Sequence, residues 1–405
     1  MKPIVRAGRM KPVHSDIRGP LFVEAMKRQK QGIDILKLNT GNPATFGFGL
    51  PDSIKNALME HMQDGVGYCD FKGMPQARQA ICDYETSKGI KGITSDDVFI
   101  GNGVSEVVSF ALTPLLNDGD EVLVPSPSYS LWGNSVYLED GKPVFYTCDE
   151  QANWYPDIQD IRSKITDKTK AIVIINPNNP TGVLYPKELL LEIIQIAREF
   201  GLLIFADEIY DRLVMDGKQH ISLASLTEDV PVITLNGLSK SHCLCGYRCG
   251  WMVISGPREL TEDYRQGIIQ LTSLRLCANT MAQIVIPAAL DDMDTPASMV
   301  RPGGRIYEQR EATVRELEKI DGLSFVKNDA AFYVFPKLDV KKFNITNDKQ
   351  FAHDLLDATN ILLVPGSGFD WKDPDHFRIV MLPQADILSD AIRRMGTFLD
   401  GYKQK

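Results

Sequence analysis

The chain has 405 residues, of which 43% are hydrophobic and 24% charged, and its formal net charge is −9. This length predicts two domains, or one large domain with a smaller lobe. The acidic balance argues against a nucleic-acid binder, and seven scattered cysteines favour a reduced environment over a disulfide framework. Residues 1–20 hold no apolar stretch of signal-peptide length, and no apolar run approaches the ~20 residues that span a bilayer, so a cytoplasmic location is predicted.

Residues 1–47 form the first predicted unit. They contain one amphipathic helix, Pro20–Gln31, and one strand, Leu36–Thr40. Two elements cannot enclose a core of their own, so this segment must dock on the rest of the chain. We assign it as an N-terminal arm that also supplies part of a small domain.

Residues 48–296 are predicted to form a large domain. Short apolar runs alternate there with helical stretches such as Pro186–Phe200, and the runs are Glu121–Pro125, Ala171–Asn176, Gly201–Ala206, Pro231–Asn236 and Trp251–Ser255. Unbroken apolar strands separated by helices predict an α/β fold with a mostly parallel sheet covered on both faces. Functional groups then belong in the loops at the carboxyl ends of the strands.

Residues 297–405 have a different pattern and are predicted to form a smaller α+β domain. A charged helical stretch runs from Pro302 to Leu317. Short strands follow at Ala331–Phe335, Ile361–Val364 and Phe377–Met381.

Three loops that follow predicted strands carry the main functional signal. They are Asn176–Gly182, Asp207–Tyr210 and Asn236–Lys240. Each has an ordinary structural explanation by itself: Asp207 can cap a helix, Lys240 can be a surface lysine, and the Asn/Pro run can be a turn.

Taken together and in this order, the loops resemble the class I/II, fold-type I aminotransferases that use pyridoxal 5'-phosphate. The matching features are N-P-x-N-P-T-G, then D-E-x-Y, then S-K with Arg248 eight residues further on. The resemblance covers essentially the whole chain. It implies a large domain with a mostly parallel seven-stranded sheet, a smaller α+β domain, and pyridoxal phosphate as the cofactor.

The cofactor needs an amine that can lose its proton near neutral pH and a carboxylate that keeps its ring nitrogen protonated. The resemblance implies that Lys240 binds the cofactor covalently and moves a proton between the substrate Cα and the cofactor, and that Asp207 faces the ring nitrogen. Tyr210 and Asn179 match residues that bond the phenolic oxygen of the ring. Tyr129 matches the aromatic residue that stacks on it.

A phosphate group needs several hydrogen-bond donors and positive charge. Gly101–Glu106 lies at a predicted strand-to-helix junction, where backbone N–H groups can face an anion. The resemblance implies that the phosphate ligands are Gly103, Val104, Ser105, Ser239, Arg248 and, from the partner subunit of a homodimer, Tyr68. Gly237 departs from the commoner S-x-S-K form and removes one hydroxyl contact.

Arg378 matches the arginine that binds the substrate α-carboxylate, for which a planar guanidinium is suited. Its alternative is an edge-strand arginine paired with an acid. Gly41, Asn179 and Tyr129 match further substrate-side positions. Closure of the small domain is expected to bring Arg378 over the cofactor and to exclude water.

The segments Gly101–Glu106, Asn176–Gly182, Asn236–Lys240 and Pro302–Arg310 resemble the alanine aminotransferase branch of this family. That branch implies ping-pong transfer of the amino group between L-alanine and 2-oxoglutarate, giving pyruvate and L-glutamate, in amino-acid biosynthesis. The cofactor then alternates between its pyridoxal and pyridoxamine forms. Arg18 is the candidate partner of the distal carboxylate of glutamate, with an exposed surface charge as the alternative, and Ser15 is expected to line the same side.

Other functions compete with this prediction. An aromatic or branched-chain aminotransferase or a carbon–sulfur β-lyase would use the same cofactor. A cofactor-binding regulatory domain would need an N-terminal DNA-binding module and a basic surface, and the sequence has neither. His242, Cys243, Cys245 and Cys249 are spaced closely enough for zinc, but they flank the cofactor loop and we expect them to pack there, so no metal is predicted.

Overall fold

The structure is a computed structural model and describes residues 2–405. Its strands are β1 (Leu36–Lys37), β2 (Val98–Asn102), β3 (Glu121–Ser126), β4 (Lys142–Asp149), β5 (Tyr155–Pro156), β6 (Thr169–Ile175), β7 (Leu203–Asp207), β8 (Val232–Gly237), β9 (Cys249–Ser255), β10 (Leu323–Ser324), β11 (Tyr333–Val334), β12 (Lys337–Leu338), β13 (Ile361–Leu362), β14 (Val364–Pro365) and β15 (Phe377–Val380).

The α-helices are α1 (Pro20–Lys30), α2 (Asp52–His61), α3 (Pro75–Ser87), α4 (Val104–Leu112), α5 (Leu131–Leu138), α6 (Ile158–Lys164), α7 (Lys187–Phe200), α8 (Leu238–Ser241), α9 (Arg258–Arg275), α10 (Thr280–Ile284), α11 (Ile286–Asp291), α12 (Asp294–Val300), α13 (Arg305–Leu317), α14 (Val340–Phe343), α15 (Asp348–Thr359) and α16 (Ala385–Asp400). Within residues 2–405 no single helix is long and apolar enough to cross a membrane, although the bent pair Arg258–Arg275 and Thr280–Asp291 passes by length and composition.

A central sheet with the strand order β2-β9-β8-β7-β6-β3-β4-β5 organises the large part of the chain. Strand β9 is antiparallel to both of its neighbours and β5 is antiparallel to β4, whereas the other strands run in one direction. The predicted α/β fold with a mostly parallel sheet is confirmed. The expected strand number is wrong by one, because Tyr155–Pro156 pairs with the end of β4 as a short eighth strand.

Two apolar clusters cover the two faces of this sheet. Alternate residues of β6 divide between them, with Ile172 and Ile174 on one face and Val173 and Ile175 on the other. This division follows from the two-residue period of a strand, and it explains why β6 is an unbroken apolar run. Each fully buried side chain of this size contributes roughly 1.5–3 kcal/mol to stability.

The C-terminal part is built on smaller sheets. Strands β11, β15 and β14 form an antiparallel sheet, and β10 pairs with β12. The N-terminal segment docks here, because β1 pairs in parallel with β13 through Leu36 and Ile361. The boundaries at residues 47 and 296 remain predictions.

The carboxyl ends of β6, β7 and β8 lie in register at one edge of the central sheet. The Asn176 N–H donates to the Asp207 carbonyl at 3.0 Å, and the Glu208 N–H donates to the Leu235 carbonyl at 2.9 Å. Strand β2 runs in the same direction as β8, since both are antiparallel to β9. The loops singled out in the sequence therefore all leave the sheet at this edge.

Candidate active site

Lys240 lies in the short helix α8, directly after β8. Its Nζ donates a hydrogen bond to the Gly41 carbonyl at 2.9 Å and lies 4.0 Å from Cys245 Sγ. A Cβ added at Gly41 would lie 2.9 Å from Phe332 Cε2 and 3.1 Å from Tyr333 Cζ. The absence of a side chain at residue 41 thus lets the N-terminal segment bring its backbone against the lysine.

Burial and nearby acidic groups act in opposite directions on Lys240. Burial lowers the pKa of its ammonium, whereas Tyr333, Cys245 and Tyr129 raise it, and the net pKa lies above 10.5. Phenols and thiols attract a cation only when they are ionised, which requires alkaline solution. Near neutral pH the remaining influences are burial and the Arg378 cation, and both favour an uncharged amine.

Asp207 ends β7 and is 5% exposed. Its Oδ2 accepts a hydrogen bond from Trp132 Nε1 at 3.0 Å, and its Oδ1 accepts one from the Ile209 N–H at 3.4 Å. Burial raises the pKa of this carboxyl to about 6, and the two donors oppose the shift only in part. A cation placed beside Asp207, such as a protonated ring nitrogen, would reverse that shift.

Tyr210 is buried three residues beyond Asp207. Its hydroxyl lies 3.0 Å from the hydroxyl of Tyr333, which is on β11. Burial raises the pKa of Tyr210 well above its usual value, so the phenol keeps its proton and can donate it in a hydrogen bond.

Arg378 is on β15 and is 1% exposed. Its guanidinium donates to Asn179 Oδ1 at 3.0 Å and to the Asn39 carbonyl, and it lies 4.6 Å from the ring centroids of both Tyr333 and Phe369. Within residues 2–405 no carboxylate pairs with it, and its Nε has no hydrogen-bond partner. The expected alternative of an arginine paired with an acid is therefore wrong. A buried cation without a counter-ion is costly, and an anionic ligand would remove that cost.

A second group of donors surrounds the start of α4. Gly103 adopts a φ of 83° just before the helix, whose first N–H groups have no acceptor within the helix. A Cβ at Gly103 would lie 2.7 Å from Arg248 Cζ, so glycine is needed for the guanidinium to approach. Arg248 and Ser105 are exposed, and Ser239 is half-buried. This arrangement fits an anion such as phosphate.

Four further predicted residues lie partly or wholly at the surface of the single chain. Tyr129 is 36% exposed and Tyr68 is 84% exposed. Arg18 and Ser15 are exposed, but the neighbouring Ile17 carbonyl accepts a hydrogen bond from Asn39 Nδ2 at 2.8 Å. Because the Asn39 carbonyl also accepts from Arg378, the segment that holds Arg18 passes beside the buried guanidinium.

Comparison with known proteins places the chain in a family. A family model for class I and II aminotransferases matches residues 33–392. The chain belongs to this aminotransferase family. It is 50% identical over 404 residues to the glutamate–pyruvate aminotransferase AlaA of Haemophilus influenzae, with each protein covered completely.

Solved structures agree with this family assignment. An aminotransferase from Escherichia coli superposes with a TM-score of 0.98 at 47% identity, and both chains are covered completely. The alanine aminotransferase of Pyrococcus furiosus superposes with a TM-score of 0.93 at 41% identity, over 98% of this chain and 100% of that one.

Aminotransferases of this family depend on pyridoxal 5'-phosphate, and the residues of this chain fit that group. Within residues 2–405, Asp207 is a buried carboxylate without a counter-ion, and Lys240 is a half-buried amine at the same sheet edge. The start of α4 offers an anion cradle. The orphaned Nε of Arg378 adds a place for a substrate carboxylate.

The sequence did not reveal several side chains of this site. Trp132 and Tyr333 contact predicted site residues, but each lies far away in the sequence and belongs to no motif. The strand that carries Tyr333 was predicted, and the tyrosine itself was not singled out.

A buried ionic cluster was also missed. Glu208, Asp211 and His220 come close enough to hold a metal ion. However, Lys88 Nζ lies 2.8 Å from Glu208 and 3.2 Å from Asp211, so an ammonium already balances these carboxylates.

The residues considered for zinc have partners within the protein. His242 faces the Ser241 hydroxyl at 3.0 Å and the Asp292 carbonyl at 3.2 Å. The Cys245 thiol donates to the Ser239 carbonyl at 2.9 Å.

Proposed function

We propose that this enzyme is a glutamate–pyruvate aminotransferase, which moves the amino group between L-alanine and 2-oxoglutarate. Full-length relatives named glutamate–pyruvate aminotransferase and alanine aminotransferase, at 50% and 45% identity, support this choice of substrates. The observation that carries the proposal is the buried Arg378 guanidinium, which has no carboxylate partner within residues 2–405 and contacts Asn179 at the edge that holds Lys240 and Asp207. Amino acids and 2-oxo acids share the carboxylate that such a site would bind.

Each side chain has a distinct part in this reaction. When bound, pyridoxal phosphate supplies an electron sink for negative charge that develops at the substrate Cα. Asp207 holds the proton on the ring nitrogen. Asn179 uses its Oδ1 for Arg378, which leaves its Nδ2 hydrogens free for the phenolic oxygen, where Tyr210 also donates. Tyr129 would stack on the cofactor ring.

Lys240 moves the proton. Its Nζ would accept the proton from the substrate Cα and would then give it to a carbon of the cofactor. An uncharged amine near neutral pH is required for the first of these transfers. The Gly41 carbonyl, 2.9 Å from Nζ, orients the amine. Phe332 and Tyr333 close the space around it and exclude water.

Two further anionic groups, the cofactor phosphate and the distal carboxylate of glutamate, also need partners. Gly103, Val104, Ser105, Ser239 and Arg248 hold the phosphate, together with Tyr68 from a partner subunit. Arg18 binds the distal carboxylate of glutamate and turns to solvent when alanine is bound. A homodimer with shared active sites and a cytoplasmic location belong to the same proposal.

An activity panel tests the substrate assignment. The enzyme with L-alanine and 2-oxoglutarate should form pyruvate and L-glutamate in equal amounts. Ammonia release without consumption of the 2-oxo acid would indicate a β-lyase instead. A higher kcat/KM with L-phenylalanine, L-tyrosine or L-valine than with L-alanine would contradict the alanine assignment while leaving the aminotransferase intact.

A further inference from the structure

Tyr333 has a hydroxyl group whose hydrogen bonding is unusually restricted. The side chain is 1% exposed, and its hydroxyl lies 3.0 Å from that of Tyr210. Within residues 2–405 neither hydroxyl has another hydrogen-bond partner. The two phenols therefore share one hydrogen bond, and one proton remains for a third group.

We propose that Tyr333 is a positioning residue that donates its proton to Tyr210 and so directs the Tyr210 proton towards the phenolic oxygen of the cofactor. Each phenol has one proton and two lone pairs. If Tyr210 donated to Tyr333 instead, it would turn lone pairs towards an anionic oxygen, which is repulsive. The inference rests on the proposed function, because it assumes that Tyr210 faces the cofactor.

The surroundings of Tyr333 fix its ring and favour it as the donor. The Arg378 guanidinium lies 4.6 Å from the ring centroid, and Phe332 packs at 4.8 Å. A cation over the ring face stabilises negative charge on the phenol. The hydroxyl therefore becomes more acidic and donates a stronger hydrogen bond. Gly41 lies against the same ring, where a Cβ would come within 3.1 Å of Tyr333 Cζ. Tyr333 thereby joins the carboxylate-binding arginine to the cofactor-binding tyrosine.

A spectroscopic titration tests the proposal without substrate. The visible absorbance of the bound cofactor is followed against pH in the holoenzyme, in Tyr333→Phe, in Tyr210→Phe and in the double variant. Loss of a donor leaves more negative charge on the phenolic oxygen of the cofactor. That charge raises the proton affinity of the nitrogen that joins the cofactor to Lys240. We expect the midpoint to rise by about 1 or more in Tyr210→Phe and by about 0.5 in Tyr333→Phe. The double variant should match Tyr210→Phe, because Tyr333 acts through Tyr210.

Tyr146→Phe is the matched control. Tyr146 is also fully buried, and its hydroxyl donates to the Val173 carbonyl at 2.7 Å in the sheet. Its substitution should leave the midpoint unchanged. If Tyr333→Phe does not fold, Tyr333→Met removes the same hydroxyl while it keeps an apolar side chain, and the same rise is expected.

An unchanged midpoint in a folded Tyr333 variant, or a shift that adds fully to that of Tyr210→Phe, would overturn the positioning role. Wild-type enzyme that transaminates alanine would leave the proposed function standing in that case. Wild-type enzyme that forms no pyruvate, yet shows the coupled midpoints, would overturn the substrate assignment alone.

Discussion

Single residues at and beside the edge of the central sheet are ionisable groups that no oppositely charged side chain balances. Within residues 2–405, the buried Asp207 and Arg378 and the half-buried Lys240 have no ion-pair partner. Lys88, by contrast, contacts three carboxylates in its cluster, with distances of 2.7–3.2 Å. Unpaired buried charge destabilises a fold. The three unpaired groups are therefore best explained as partners of ligands, and they should respond to substitution differently from structural ion pairs.

Lys240→Ala should abolish both turnover and the visible absorbance of the attached cofactor, because within residues 2–405 no other lysine donates to the Gly41 carbonyl. The fold should persist, since the change removes a buried polar group without leaving an unpaired carboxylate. Absorbance and single-turnover measurements check the first outcome, and circular dichroism checks the second. Lys91→Ala is the control, because Lys91 pairs with Glu228 at the exposed surface. Retained turnover in Lys240→Ala would contradict the assignment.

Arg378→Leu should weaken every amino-acid substrate and leave cofactor retention intact. The loss of a buried charged contact with the substrate carboxylate is expected to cost about 2–5 kcal/mol in kcat/KM. Steady-state kinetics with L-alanine and L-glutamate give the first quantity, and cofactor content after dialysis gives the second. Loss of cofactor would move Arg378 out of the substrate site.

Asp207→Asn should stabilise the apoenzyme in neutral and alkaline solution. Burial raises the pKa of Asp207 from 3.8 to about 6, so the wild-type carboxylate is a destabilising group above pH 6. The full effect is about 3 kcal/mol, and it disappears as the pH falls through 6 towards 3.8. Urea unfolding of the two apoproteins should show the full gain at pH 8 and roughly half of it at pH 5. A gain of equal size at both pH values would argue against the raised pKa, and addition of cofactor should favour the wild type.

At the scale of helices and strands, the sequence predicted the loops well and their distant partners poorly. Asp207 and Lys240 follow unbroken apolar runs, and parallel strands place such loops together. Trp132 lies 75 residues from Asp207, Tyr333 lies 123 residues from Tyr210, and Asn39 lies 339 residues from Arg378. No periodicity or turn chemistry encodes contacts of that separation, because packing between elements decides them. The two-residue strand β5 was missed for the same reason.

Residue 103, just before α4, is a position where glycine should be required. Gly103→Ala places a Cβ 2.7 Å from Arg248 Cζ at a φ of 83°, so it should displace the guanidinium and lower cofactor affinity. Gly119→Ala is a matched control, because Gly119 has a φ of 81° but open space around it. Gly103 also has a ψ of 162°, in a region that essentially only glycine adopts, so Gly103→Ala should cost about 1–3 kcal/mol of stability, and Gly119→Ala about 1–2 kcal/mol. Titration of the apoproteins with pyridoxal phosphate should show weaker binding in Gly103→Ala only, and equal affinities would remove Gly103 from the phosphate site.

At the scale of the whole molecule, the N-terminal arm connects distant parts of the chain. The His14 N–H donates to Asn134 Oδ1 at 3.1 Å, and its ring lies 3.0 Å from Asp370. Hydrogen bonds with Asp16 and Asp370 raise the pKa of His14 to about 9. Lys349 pairs with Asp16 at 3.2 Å. Residues of both the central sheet region and the C-terminal part thus hold the arm, a few residues before Arg18.

Another surface of the molecule is apolar and uncovered. Met59, Met62, Val66 and Tyr68 are 55–84% exposed along α2 and the turn that follows it. Several exposed large apolar side chains in one short segment are typical of an interaction surface. A second copy of the chain is the proposed occupant, because Tyr68 then reaches the phosphate cradle of that copy.

Subunit complementation tests this shared site. Lys240→Ala lacks the amine but keeps Tyr68, whereas Tyr68→Ala keeps the amine and lacks the tyrosine. Co-expression should form hybrid dimers in which one site has both groups and the other has neither. Random pairing makes about half of the dimers hybrids with one complete site each, so about a quarter of wild-type activity should return beyond that of the separate variants. If Tyr68 served its own subunit, every hybrid site would lack one group, and the mixture would only average the two variants.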